Sequence, residues 1–317
     1  MSKRYQVLIT GSSGMLGIDL CQELKADYDV IGLDMVRHLK AGFPALRTLH
    51  RRGSALRDNL PYIMGDITDR KGVAAIITGL RPDFVIHCAA WTDVDGCEFN
   101  RKKAYKINSE GAGNVALACK RSGAALIYIS TDFVFDGRKR NPYKETDKAK
   151  PISVYGDSKL KGENFIKKTL NSYFILRTSW LYGKRGKNFV DTIIAKTKTE
   201  SRLRVVWDQV GSPTSTKSLA RAIHRLLNKL TMGRRPTADG YGIYHLSNSG
   251  RVSWYDYAGE ILRLVKSKTK ILPITSEGLA RPAKRPAMSV MDNSKFYKFT
   301  GYRMPGWKVA LKEYLSK

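Results

Sequence analysis

The segment YQVLITGSSGMLG, from Tyr5 to Gly17, joins an apolar run to a glycine-rich one. Residues 5–9 have the apolar, β-branched character of a buried strand, and a helical pattern follows near 14–26. Between them Gly11-Ser12-Ser13-Gly14-Met15-Leu16-Gly17 forms a G-x-x-G-x-x-G turn. Glycine lets the backbone approach a phosphate without a Cβ clash, and the first turn of a helix offers unpaired N–H groups and a partial positive charge. A strand, this turn and a helix at the start of a βαβ unit predict a dinucleotide site, with Gly11, Ser13, Gly14, Met15, Leu16 and Gly17 against the pyrophosphate.

Outward from this segment the chain keeps alternating. Strand-like runs at 29–33, 61–64, 83–88, 125–130 and 173–177 are separated by helical stretches near 70–80 and 101–122 and by one beginning near Tyr155. Such alternation implies parallel βαβ units, and the fold class is α/β: a doubly wound parallel sheet of the Rossmann type. Beyond 178 the rhythm loosens into a helix near 187–198, RVVW at 204–207, a helix at 217–229, a polar break at 231–240, a strand at 243–247 and a tail containing Pro273, Pro282, Pro286 and Pro305. The expected division is a dinucleotide-binding domain over 1–178, with returns near 204–247, and a smaller, discontinuous C-terminal substrate lobe from 179–203 and 248–317 that closes over the carboxyl edge of the sheet. Residues 37–60 are long and basic for a βα connection and read as an insertion.

At 317 residues, 42% hydrophobic, the chain has ample material for a core, which excludes a stapled miniature scaffold and a disordered chain. No apolar run nears the ~18–20 residues that span a bilayer, and the first residues lack a cleavable apolar region, so the expected location is cytoplasmic with no membrane partner. Cys21, Cys88, Cys97 and Cys119 have no C-x-x-C spacing and the five histidines form no H-E-x-x-H, so small buried thiols are expected rather than disulfides or a metal site. Lys and Arg number 56 against 28 Asp and Glu, a formal charge of +28. That excess attracts polyanions and brings nucleic acid, anionic lipid and phosphorylated substrates into question. Because the basic residues are spread from Arg37 and Arg51-Arg52 through Lys167-Lys168 and Arg234-Arg235 to Lys284-Arg285, a broadly basic surface is favoured over a nucleic-acid site.

Asp34 ends the second strand, where a carboxylate would accept the adenosine ribose hydroxyls and favour NAD. Arg37 could instead pair with a 2′-phosphate, and an ordinary turn role for Asp34 stays open. Asp66 is placed for an adenine-edge contact, and Ala89 and Ala90 are small enough for the cofactor's sugar and phosphate to lie on the backbone. Ser130, Thr131 and Asp132 follow ALIYI directly, at the carboxyl edge where open α/β folds bind ligands. Tyr155 and Lys159 stand at i and i+4, on one face of a helix. A phenol with a pKa of about 10 is a poor catalyst at neutral pH; an adjacent ammonium would lower that value. Such a tyrosine can pass a proton to a carbonyl being reduced. Tyr155 is the only one of 16 tyrosines with lysine four residues on, although a lysine-rich chain yields one such pair by chance. Nucleotide turn, strand-end threonine and Tyr–Lys helix in one sheet together point to carbonyl reduction by hydride transfer.

At these residues the chain resembles the extended short-chain dehydrogenase/reductases and, more narrowly, the dTDP-4-dehydrorhamnose reductases. The resemblance covers nearly the full length and rests on TGSSGMLG (10–17), CAAWTDVDGCE (88–98), YISTDFVFDG (128–137), VYGDSKLKGE (154–163), RTSWLYG (177–183), DQVGSPT (208–214) and RPAMSVMDNSKF (285–296). It implies Tyr155 as proton donor, Lys159 holding the nicotinamide ribose and tuning Tyr155, Thr131 bonding the keto oxygen, and Asp132 assisting at the substrate. It also sets Trp180 against the sugar ring, with a core role as the alternative. NADPH or NADH would reduce C4 of a nucleotide-linked 4-keto-6-deoxyhexose, giving dTDP-L-rhamnose in the parent family, with Lys and Arg side chains, Arg285 among them, offsetting the diphosphate. Some relatives associate through a metal-linked interface, so a homodimer is compatible, but no ligand cluster is identifiable here. Departures from the family pattern are His87 before Cys88, the bulky Trp91, the basic 37–60 segment and the net charge. Two other classes compete: a non-catalytic NADP-binding regulatory subunit similar to the beta subunit of methionine adenosyltransferase, and a nucleic-acid binder on a Rossmann-like frame. Retention of Thr131, Tyr155, Lys159 and the RTSW run argues against the first.

Overall fold

The computed structural model describes residues 4–35, 60–232 and 240–316. Arg37, nearly all of the basic 37–60 segment and most of the polar break at 231–240 lie outside the described residues. The chain begins β1 (Gln6–Thr10), α1 (Met15–Leu24), β2 (Asp29–Asp34), β3 (Tyr62–Met64), α2 (Arg70–Leu80), β4 (Phe84–His87), α3 (Val94–Phe99) and α4 (Arg101–Tyr105). A π-helical turn over Lys106–Gly111 leads into α5 (Ala112–Ser122), β5 (Ala125–Thr131), α6 (Val154–Thr169) and β6 (Tyr173–Thr178). There follow β7 (Leu181–Tyr182), α7 (Phe189–Lys196), β8 (Arg202–Val206), β9 (Val210–Gly211), β10 (Thr214–Ser215), α8 (Thr216–Met232) and β11 (Gly242–His245). The chain ends with β12 (Val252–Ser253), α9 (Trp254–Leu264), β13 (Lys270–Ile274), α10 (Ser276–Leu279), α11 (Ser294–Thr300) and α12 (Trp307–Leu315).

Seven strands pair in parallel in the order β11-β6-β5-β4-β1-β2-β3. The order reverses between β1 and β4, and the crevice at such a switch point is where open α/β sheets take ligands. Successive strand residues point to opposite faces, so one fully buried strand serves two cores. Val7 and Ile9 pack with Leu20, Leu219 and Ile223 of α1 and α8, whereas Leu8 packs with Ile77 and Val115 of α2 and α5. Local signals set the helix ends. Asp69 accepts from the N–H groups of Lys71 and Gly72 at the start of α2, Ser153 accepts from Gly156 at the start of α6, and Gly123, at φ +79°, closes α5.

Two expectations are corrected. The helix expected over 101–122 is interrupted by the π-helical turn, a wider turn often found at functional sites, and this one carries Asn108. The strand expected to return near 204 does not join the large sheet: β8 pairs in parallel with β13 in the smaller lobe, and the chain rejoins the large sheet through α8, packed on α1, and β11. Its pattern gives the reason. Leu203 and Val205 are buried while Arg202 and Arg204 are exposed, so β8 buries one face, whereas strands inside a doubly wound sheet bury both. The small-lobe core gathers Tyr182, Val190, Ile193, Val205, Tyr257 and Trp307. All four cysteines are unpaired; Cys21, Cys97 and Cys119 are buried and Cys88 is half-buried. Among the described residues no helix is long and apolar enough to cross a membrane, and no group of three or more His, Cys, Asp or Glu could hold a metal ion.

Candidate active site

The glycine turn lies against the ends of β2 and β4. Gly11 has φ +69°, and a Cβ there would fall 2.6 Å from the Ala89 backbone nitrogen. A Cβ at Gly17 would fall 2.2 Å from the Gly11 carbonyl oxygen, so both glycines permit approaches that any side chain would prevent. Gly14 is the N-cap of α1, which has no side-chain cap and no acidic residue in its first turn. The first turn of the helix thus carries no acidic side chain of its own, which suits an anion there. Asp34 accepts the Ser13 N–H (2.9 Å) and its neighbour's, that of Met35 (2.7 Å), so its carboxylate ties the turn to the end of β2. Asp66 accepts the Thr68 N–H at 2.8 Å, and Ala89 and Ala90 are half-buried just beyond β4.

Thr131 ends β5; its Oγ1 donates to Asp132 Oδ1 (3.1 Å) and accepts the Phe133 N–H (3.2 Å). Tyr155, in the first turn of α6, is 9% exposed and meets the Phe133 ring edge-on at 5.6 Å. Burial raises its phenol above the ordinary value, Asp132 and Cys97 push the same way, and the Thr131 hydroxyl opposes them. Lys159, 3% exposed, donates from Nζ to the Ile129 carbonyl at 2.7 Å and lies 4.1 Å from the centre of the Tyr128 ring. Burial lowers its ammonium to about 7, against support from Glu163 and Cys88. The arrangement differs from the direct ammonium–phenol tuning expected from the i, i+4 spacing: the lysine bonds a strand carbonyl, and desolvation governs both groups. Asp132 is buried, which pushes its carboxyl up to about 7 despite hydrogen bonds from Ser289 and Thr131.

The small lobe contributes a cavity of about 670 Å³ lined by apolar Phe189, Ile193, Val205 and Trp254, by the cations Arg204, Arg281, Lys284 and Arg285, and by Glu200 and Glu277. Ile152, just before α6, also lines it. Arg285 lines this cavity but is engaged by the protein: it bonds Asp95 (3.0 Å) and the Ala283 carbonyl (2.9 Å), and Arg281 reaches the same Asp95 (3.0 Å). Burial would raise the Asp95 carboxyl, but Arg285, the Ala283 N–H and Arg281 together hold it below its usual range. Trp180, at φ +47°, stacks face to face on Trp254, centroids 3.5 Å apart and planes within 5°. A Cβ at Gly211 would come within 2.4 Å of the same indole. One face of Trp180 is therefore occupied, and it is Trp254, with Phe189 at 4.4 Å, that lines the cavity.

Sequence reasoning passed over two residues that this geometry singles out. Asn108 donates to the Trp91 carbonyl (3.0 Å) and to Ser158 Oγ (3.0 Å) and accepts the Trp91 N–H (2.8 Å), fastening the loop after β4 to α6. No pattern in the sequence marks the π-helical turn that presents it. Trp254 was equally unmarked, because its partner is 74 residues away and an isolated tryptophan at a helix start carries no signal.

The chain matches the RmlD substrate binding domain family over residues 5–317. It is 39% identical over 313 residues to the spore coat polysaccharide biosynthesis protein SpsK of Bacillus subtilis, with 98% of this chain and 97% of that protein covered. The crystal structure of a dTDP-4-dehydrorhamnose reductase from Clostridium acetobutylicum superposes with a TM-score of 0.84 at 40% identity, covering 98% of each chain. That of the dTDP-4-dehydrorhamnose reductase of Bacillus anthracis in complex with NADP gives 0.84 at 37%, covering 99% of each. With Thr131, Tyr155 and Lys159 brought to the carboxyl edge of the sheet that the glycine turn also borders, this likeness over the whole length means that the chain belongs to the dTDP-4-dehydrorhamnose reductase family of NAD(P)H-dependent oxidoreductases.

Proposed function

We propose that the chain reduces the C4 keto group of a nucleotide-linked 4-keto-6-deoxy sugar, converting dTDP-4-dehydro-L-rhamnose to dTDP-L-rhamnose. The observation that carries this reading is the convergence of Thr131, Tyr155 and Lys159 next to the crevice at the strand-order reversal. The tight backbone turn that Gly11 and Gly17 permit, where a Cβ would strike neighbouring backbone, and the start of α1, which has no side-chain cap, fit a dinucleotide. Gly11, Ser13, Gly14, Met15, Leu16 and Gly17 would hold its pyrophosphate, with Asp34, Asp66, Ala89 and Ala90 around the adenosine half and Lys159 at the nicotinamide ribose. The reduced nicotinamide, when bound, supplies the hydride. NADP in the Bacillus anthracis relative supports NADPH, and Asp34 leaves NADH open.

The protein's own contribution is proton delivery and orientation. A phenol raised by burial is firmly protonated at neutral pH, as a proton donor must be. Donation from Tyr155 to the keto oxygen would neutralise the negative charge that develops there as the hydride arrives, and Thr131 would hydrogen-bond the same oxygen by turning its hydroxyl from Asp132. The cavity offers Trp254 and Phe189 as flat apolar surface for the base or sugar, and Arg204 and Lys284 as charge for the diphosphate. Trp180 would then serve the sugar through the edge or face that Trp254 leaves open. The test offers purified protein a panel of dTDP-, UDP- and GDP-linked 4-keto-6-deoxy sugars and follows oxidation of NADPH and NADH. Turnover strongest with the dTDP sugar is the expected result. Cofactor binding with no turnover on any sugar would replace the reading with a regulatory, non-catalytic role.

A further inference from the structure

We propose that Glu163, on α6, is a positioning residue: its buried carboxylate locks the catalytic end of β5 to α6 and supplies Lys159 with its counter-charge. The inference rests on the reductase reading above. Tyr155, Lys159 and Glu163 stand at i, i+4 and i+8 and share one face of α6. Glu163, with no exposed surface, accepts the Ser130 hydroxyl at 2.6 Å and two bonds from Arg177 of β6, from Nε at 3.0 Å and from Nη2 at 2.7 Å. Ser130 is flanked by the two residues that serve the catalytic pair: the carbonyl of Ile129 holds Lys159, and the hydroxyl of Thr131 acts on Tyr155. One carboxylate thus fixes the strand segment that sets where both groups sit relative to α6. Ser130 and Arg177 are paired in the β5–β6 register, so three elements meet at this point.

Stability alone is a weak reason for such a pair. Burying both ions costs about as much as their attraction returns, and well-packed apolar residues of similar size often do as well or better. Here the pair is also incomplete: among the described residues Arg177 Nη1 is buried with no hydrogen-bond acceptor, and the Phe135 ring lies 5.1 Å from the guanidinium carbon. Around Lys159 stand Tyr155 and Glu163 from α6, Tyr128 from β5, His87 from the end of β4 and Cys88 just after it, Asp132 beyond Tyr155, and Arg177 behind Glu163. His87 is held neutral, its imidazole lowered to about 3 by burial and by Lys159 itself, and burial raises the Cys88 thiol. Glu163 is therefore the carboxylate that opposes the desolvation of Lys159, with Arg177 offsetting part of its charge.

Two variants separate the roles. Ser130→Ala removes the strand anchor and leaves the ion pair; Glu163→Gln with Arg177→Met removes both charges without stranding either. The readouts are the kcat and KM of the reductase reaction and the pH dependence of NADPH binding, followed by nicotinamide fluorescence. Ser130→Ala is expected to lower kcat about tenfold with NADPH affinity and KM unchanged, because loosened geometry penalises the chemical step. In the double variant the alkaline loss of NADPH affinity is expected to begin at least half a pH unit lower, about a threefold change in the protonation constant of Lys159. Wild-type kcat in Ser130→Ala overturns the positioning role, and an unmoved alkaline limb overturns the counter-charge. The binding measurement needs no sugar, so it remains decisive if no substrate is turned over, the outcome that would instead remove the reductase reading.

Discussion

Replacing Lys159 by methionine is expected to stabilise the protein while removing its activity. In the fold the ammonium is almost fully buried, and its value falls from 10.5 to about 7. At about 1.4 kcal/mol for each pH unit, that difference makes charged Lys159 unfavourable by about 5 kcal/mol, and by about 4 kcal/mol at pH 7, where half the population can shed the proton. Against this stand the bond to the Ile129 carbonyl and the contact with the Tyr128 ring, at about 1 kcal/mol each. Methionine has a similar volume and needs no partner, so the net gain at pH 7 is about 2 kcal/mol. The sign with pH follows from linkage. A lysine lowered on folding leaves the unfolded state holding more protons between its folded and unfolded values, so wild-type stability from this group rises across about pH 7 to 10.5 and is lowest below that window. The advantage of Lys159→Met should shrink correspondingly as the pH is raised. Urea unfolding of both proteins at about pH 7, 8 and 9.5 measures it directly. A variant less stable than wild type at pH 7, or an advantage that does not shrink toward alkaline pH, would refute the reasoning.

Gly11→Ala forces a φ of +69° on a residue with a Cβ and drives that Cβ into the Ala89 backbone, which has no flexible end to move aside. The conformational cost alone is about 1–2 kcal/mol, so NADPH affinity should fall at least about tenfold in a fluorescence titration, and unchanged affinity would contradict the cradle. Trp254→Ala removes an aromatic wall of the cavity and the platform under Trp180, 3.5 Å away. KM for the nucleotide sugar should rise about tenfold with a smaller change in kcat, and the circular-dichroism couplet of the stacked indoles should vanish. If KM holds while the couplet is lost, the stack serves only to join segments of the fold.

The sheet was readable in advance because strands buried on both faces appear as short apolar runs, such as VLI at 7–9 and FVI at 84–86, and because the glycine turn has a mechanical reason to follow the first of them. Tyr155 and Lys159 were readable because helical spacing converts directly into a shared face. What escaped depends on tertiary neighbours. RVVW carries the same apolar character as a sheet strand, and only its exposed Arg202 and Arg204 reveal that it belongs to the one-sided β8–β13 pair. Arg285 read as a candidate for the diphosphate with no protein partner in view, because Asp95, which bonds it, comes from a helix 190 residues earlier. The expectation that Lys159 lowers the Tyr155 phenol considered charge and not burial; in the folded protein, desolvation is the larger effect on both. The π-helical turn that presents Asn108 leaves no mark in the periodicity.

The most direct test of proton delivery by Tyr155 is a rapid-mixing single-turnover experiment with Tyr155→Phe, preloaded with NADPH and mixed with the dTDP-linked 4-keto-6-deoxy sugar. Losing a general acid lowers the chemical step by about 10²–10⁴-fold, so nicotinamide absorbance should persist while NADPH binds with nearly unchanged affinity. Oxidation of NADPH at the wild-type rate would mean that another group protonates the sugar oxygen.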